Sequence, residues 1–146
     1  MQGEKIYEYD AEMTSQVDFG IELAAILDGS RAIPLQGARF NAGFEGRAAG
    51  RLAGRVSGVD YAFMRPDGVL ELNIHGVFET PDGARIALHA GGVGILRANE
   101  PMIDLSENVS LMTASADYTW VNGRQIWAVG VVDLAAGKLH LEGYLQ

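Results

Sequence analysis

The sequence predicts a mainly β protein: one antiparallel barrel, closed or nearly closed on itself. Three observations carry that expectation. Turn signals recur at Asp28-Gly29, Pro66-Asp67-Gly68, Pro81-Asp82-Gly83, Asn122-Gly123 and Ala136-Gly137, and runs of roughly 8–14 residues separate them, as in barrels and sandwiches. Several of those runs alternate apolar and polar residues with a period of two. Glycine is abundant, 19 of 146 residues, against a usual ~7%. It follows no collagen period, which suits turns, bulges and curved strands. Closure is expected because it removes exposed sheet edges. No linker, low-complexity tract or charge block divides residues 1–146, so a single domain is expected.

The elements follow in order. "IYEYDAEM" reads as an opening strand. "GIELAAIL" (20–27) fits one or two helical turns, or another strand. "GRAAGRLAGRVSGVDY" (46–61) places glycine at 46, 50, 54 and 58, with Arg47, Arg51 and Arg55 between. As a helix it would lose roughly 1 kcal/mol at each glycine relative to alanine. As a phosphate loop it lacks the Gly-Lys-Ser/Thr ending. Read as one curved strand, its glycines and small residues share one face and its arginines the other. "VLELNIHGVFE" (69–79) alternates clearly: Leu70, Leu72, Ile74 and Phe78 oppose Glu71, Asn73, His75 and Glu79. "ARIALHAGGVGIL" is its hairpin partner across Pro81-Asp82-Gly83. "SENVSLM" fits a capped turn starting at Ser106. "DYTWVNG" and "RQIWAVGVVDL" form a hairpin across Asn122-Gly123. "KLHLEGYL" is a closing strand.

Composition bounds the function. Hydrophobic residues make up 48% and charged residues 21%, ordinary for a soluble domain. A net charge of −8 argues against a nucleic-acid binder. With no cysteine there is no disulfide framework, thiolate metal site or cysteine nucleophile. The N-terminus shows no basic region before an apolar run, and no apolar stretch approaches the ~18 residues of a membrane helix. A cytoplasmic protein is expected. Charge is uneven: acidic residues dominate 1–30, and six arginines lie in 31–65. Either the two segments compensate each other, or the arginines form an anion site.

Ser57-Gly58-Val59-Asp60-Tyr61, Arg65-Pro66-Asp67-Gly68, the Asp82-Gly83 turn and Tyr118-x-Trp120-x-Asn122 together resemble the motifs of the domain-of-unknown-function 3237 family. The resemblance extends upstream to "IYEYDAEMTSQVDFG" and so covers most of the chain. Two positions depart from the family pattern, Ser57 for a glycine and Tyr61 for a tryptophan. The resemblance implies a small closed β-barrel with a lumen, similar in shape to lipocalins and to cofactor-free cyclase barrels such as allene oxide cyclase. It implies no agreed activity.

The residues supply the functional expectation. If the 81–83 loop has three residues, His75 falls opposite His89; with two, they face opposite ways. If the polar face of 69–79 lines the lumen, His75, His89, Glu71 and Glu79 form an acid/base cluster able to move protons near neutral pH. If that face points out, they are solvent residues. His75 and Glu79 stand ~13 Å apart along a strand, too far to share an ion, so no metal is expected. No nucleophile elbow or dinucleotide fingerprint is present, and no cofactor is expected. Tyr118 and Trp120 share a face of the last hairpin. Either they are barrel core or, with Tyr61, Glu79 and Asn122, they line a ligand pocket. Arg65 either fixes its turn by pairing with an aspartate or clamps a substrate oxygen.

The leading expectation is a cofactor-independent enzyme, an isomerase, cyclase or lyase that transfers a proton on a small aromatic or polyketide-like carbonyl compound. His75, His89 and Arg65 are its candidate catalytic residues. Tyr61, Glu79, Tyr118, Trp120 and Asn122 are its candidate substrate contacts. The alternatives are a lipocalin-like carrier without chemistry and a partner-binding barrel with a filled lumen. The expected partners are a small molecule and further copies of the chain, without nucleic acid or membrane.

Overall fold

A computed structural model describes residues 3–146. Eight antiparallel strands form a closed barrel in simple sequential order. They are β1 (Glu4–Asp18), β2 (Ala38–Ala49), β3 (Gly54–Met64), β4 (Leu70–Glu79), β5 (Arg85–Leu96), β6 (Met102–Met112), β7 (Ile126–Asp133) and β8 (Lys138–Leu145). β8 pairs back onto β1 with Leu139 across from Ala11, which leaves no free edge. A short helix α1 (Leu23–Leu27) lies between β1 and β2, and a 3-10 turn (Ala116–Val121) between β6 and β7. Among the described residues no helix is long and apolar enough to cross a membrane.

Alternation decides the faces. On β4, Leu70, Leu72, Ile74 and Phe78 are buried, while Glu71, Asn73 and His75 are exposed. The even-numbered residues of β2, β3 and β5 likewise supply the buried aliphatic and aromatic side chains. The polar face of residues 69–79 is therefore the outer wall. β1 is irregular between Lys5 and Tyr7, and there two successive residues, Ile6 and Tyr7, are both buried. A bulge puts an extra residue on one strand and bends it.

The barrel has two unequal halves. One end is packed solid by Tyr7, Leu52, Val56, Phe78, Ile86, Val109, Val121 and Ile126. Tyr7 stacks on Tyr9 with ring centroids 5.8 Å apart and tilts against Phe78 at 5.2 Å. The 3-10 turn closes this end, and Asn122 pins it: its amide donates to the Thr113 carbonyl at 2.7 Å and accepts the Thr113 N–H at 2.9 Å. The other end, beside α1, is not filled.

Three expectations are corrected. Residues 46–61 are not one strand: β2 ends at Ala49, the chain turns, and β3 begins at Gly54. Gly50 and Gly54 have φ of +117° and +128°, a region other residues rarely enter. Residues 106–112 are the second half of β6, not a capped turn, and residues 116–121 are a 3-10 turn, not a hairpin strand. The acidic strand β1 does lie beside β2, with Asp10 across from Arg47 in the register, but most of the arginine pairing is with acids from outside residues 1–30. Arg51 pairs with Glu4 at 3.4 Å, and Arg55 with Glu45 at 3.0 Å and Glu79 at 2.9 Å.

Candidate functional site

Small residues leave room in the α1 half of the barrel. Ala42 on β2 and Ala62 on β3 line a cavity of about 280 Å3 with Tyr9, Phe40, Phe44, Leu72, Ile74, Leu105 and Leu141. Met13, Gln16, Leu23 and Leu134 frame its mouth. The walls are apolar apart from a few groups, and two of these are carboxyls, Asp60 and Glu107.

Glu107 stands on β6 in phase with Ile103, Leu105, Val109 and Leu111, so the strand's alternation drives it inward. It is 5% exposed, and its Oε2 has no hydrogen-bond partner. A buried, unpartnered polar atom costs free energy unless something binds it. Burial first, and then the neighbouring Asp60 charge, pushes the Glu107 carboxyl up to about 8. Asp60 faces the lumen from β3. The β3–β4 ladder pairs Asp60 with Ile74 and resumes at Phe63 with Glu71. In the gap the Asn73 backbone N–H donates to Asp60 Oδ1 at 2.9 Å. Burial raises Asp60 to about 6 against the opposing pull of that hydrogen bond. Burial thus favours the neutral form of both carboxyls, and more strongly at Glu107, which also feels the Asp60 charge. Tyr9, beside them, is held well above the ordinary phenol range, by burial first and then by Glu107 and Tyr7. It stays a neutral donor.

The residues expected from the sequence lie elsewhere. His75 and His89 do face each other, as the three-residue loop requires, with ring centroids 4.7 Å apart. Yet both are exposed on the outer wall, because the Leu/Ile/Phe phase of β4 takes the lumen. Glu79 is outside as well, paired with Arg55 at 2.9 Å. Tyr61 is 42% exposed, its ring 5.7 Å from that of His75 and steeply inclined to it. Arg65 pairs with Asp67 in its own turn, which is the turn-fixing role. At the packed end, Tyr118 donates its hydroxyl to Asp82 at 2.9 Å. Trp120 lies under the Arg51 guanidinium at 3.8 Å, and Asn122 holds Thr113. None of these eight lines the cavity.

Two signals pointed to the carboxyl pair. Asp60 belongs to the motif Ser57–Tyr61. Glu107 is an acid on the apolar phase of an alternating run, visible once 102–112 is read as a strand rather than a turn.

Fold and lumen define a class, a small closed β-barrel with an apolar, acid-bearing interior cavity. Within that class, residues 6–142 match the family described as protein of unknown function (DUF3237); the chain belongs to that family. No curated protein matches the sequence. Similar structures include a protein of unknown function from Clostridium acetobutylicum ATCC 824, at 18% identity and TM-score 0.79, covering 100% of this chain and 99% of that one. A β-barrel-like protein from Acinetobacter baumannii AYE has 19% identity and TM-score 0.75, covering 99% and 94%. A protein from Penicillium herquei described as an enzyme has 18% identity and TM-score 0.60, covering 100% and 96%.

Proposed function

We propose that the chain binds a compact, mainly apolar carbonyl compound in the lumen and transfers a proton on it, with Asp60 as base and Glu107 as acid. One observation carries this reading: the buried, unpartnered Glu107 oxygen inside an apolar cavity that also holds a second carboxyl. An ionised carboxylate removes a proton next to a carbonyl, and a neutral carboxylic acid donates a hydrogen bond to the oxygen that gains charge. Tyr9 adds a second neutral donor. The apolar walls fit an aromatic or polyketide-like skeleton and keep water from the reacting atoms. Enolate-type isomerisation, aldol-type cyclisation and β-elimination beside a carbonyl begin with such a step. The barrel described as an enzyme supports chemistry over carriage. The open lumen argues against a barrel filled by its own side chains.

The test needs no known substrate. Cyclic ketones, aromatic ketones and short polyketides are incubated with the protein in D2O, and deuterium uptake beside the carbonyl is followed by mass spectrometry. The wild type accelerates uptake for the ligands it binds. Asp60→Asn loses at least ~100-fold, the ordinary worth of a general base. Ligands that bind without catalysed exchange would make the protein a lipocalin-like carrier and overturn the catalytic assignment.

A further inference from the structure

The outer wall of the β4–β5 hairpin carries a second constellation. We propose that His75, His89 and Asn73 form a surface site for a divalent first-row transition-metal ion that prefers imidazole, namely Cu2+, Ni2+ or Zn2+. The strand register sets His75 directly across from His89, and alternation turns both outward. Nε2 of His75 lies 3.1 Å from Asn73 Oδ1, and Nε2 of His89 lies 3.4 Å from the same oxygen. Two imidazole nitrogens from paired strands thus stand within hydrogen-bond distance of one amide oxygen, all three outside the barrel wall. In those bonds each Nε2 carries the proton, since an amide oxygen only accepts; binding an ion moves each proton to Nδ1, turns both Nε2 lone pairs to the metal, and leaves Asn73 Oδ1 beside it as the third donor.

The surroundings suit an ion. Among the described residues neither imidazole makes an ion pair, whereas His140 is engaged by Asp10 at 2.8 Å and Glu8 at 3.8 Å. Gly91 sits opposite Asn73. Even an added Cβ there would meet nothing nearer than the Leu72 carbonyl at 3.9 Å, so the space beside the pair is open to an ion and its waters. Two imidazoles and an amide oxygen are donors that Cu2+, Ni2+ and Zn2+ accept, and Cu2+ binds most tightly of the three. The hairpin's hydrogen bonds already fix both backbones, so few rotors remain to be ordered. A competing cluster, Glu8, His140 and Glu142, also brings three donors within 4.8 Å. There the Lys5 ammonium already bridges Glu8 at 3.5 Å and Glu142 at 3.4 Å, taking the place of a cation.

Cu2+ titrated into the full chain is followed by calorimetry and electron paramagnetic resonance, with circular dichroism confirming the fold of each variant. The expected result is saturation at one equivalent with a two-nitrogen hyperfine pattern. His75→Ala and His89→Ala each weaken binding roughly tenfold or more, since losing a ligand costs at least what losing an outer partner costs. His140→Ala binds like the wild type. The proposal is overturned by no saturable binding, by binding unchanged in His75→Ala or His89→Ala, or by binding that disappears in His140→Ala.

Discussion

A carboxyl with one oxygen turned to an apolar cavity costs stability whenever it ionises, and at Glu107 that cost has a pH window. Its folded value, about 8, lies above the unfolded one, so the native chain binds more protons than the unfolded chain between roughly pH 4.5 and pH 8. The stabilising contribution is full below the unfolded value and is lost as pH rises through the folded one. Glu107→Gln keeps the shape of the neutral acid and removes the titration. The variant should therefore gain on the wild type as pH rises, by on the order of a few kcal/mol between pH 5 and pH 9. Urea unfolding at the two pH values measures this, and parallel pH curves for the two proteins would contradict it. Asp60 was visible in the sequence as part of a motif, but nothing in the motif said which wall it faced. The histidines drew attention as acid/base groups, and β4 placed them outside because four large apolar side chains compete for the lumen.

At the scale of elements, alternation was the reliable signal. The hairpin of β4 and β5 and the closing strand β8 follow directly from period two. Residues 46–61 misled because alternation continues through the turn: Leu52 is fully buried, in phase with Ala48 and Val56, so parity alone could not reveal the reversal. Residues 116–121 misled because Asn122-Gly123 suits a hairpin as well as the end of a 3-10 turn. β8 also carries a packing constraint. A Cβ at Gly143 would run into the Tyr7 ring, which is 1% exposed and wedged between Tyr9 and Phe78. Gly143→Ala should cost about 1–3 kcal/mol through overpacking, lowering the melting temperature by roughly 3–10 °C. A thermal melt unchanged from the wild type would show that the floor of the barrel yields more easily than its packing implies. On β3, Ala62 lines the cavity, and Ala62→Leu adds apolar atoms to that space. Ligand-induced thermal shifts should disappear in this variant while its own melting temperature holds or rises. Retained ligand shifts would place the binding site elsewhere.

The whole molecule joins a rigid closed wall to an interior that is half core and half cavity. The packed half fixes strand positions, and the open half presents two carboxyls across an apolar space. A ligand present at 100 times its dissociation constant would add ~2.7 kcal/mol, enough to show as a shift of several degrees. The central claim concerns the protein before any ligand arrives: its lumen holds two carboxyls that burial pushes toward the neutral form, Glu107 more strongly than Asp60. Carbon-13 NMR of the side-chain carboxyls, in protein labelled at aspartate and glutamate, tests it most directly, with Asp60→Asn and Glu107→Gln assigning the signals. The account predicts that Asp60 titrates near 6 and Glu107 near 8. Both carboxyls titrating in the ordinary range near 4 would mean that water reaches them freely, and would contradict the proton-transfer site.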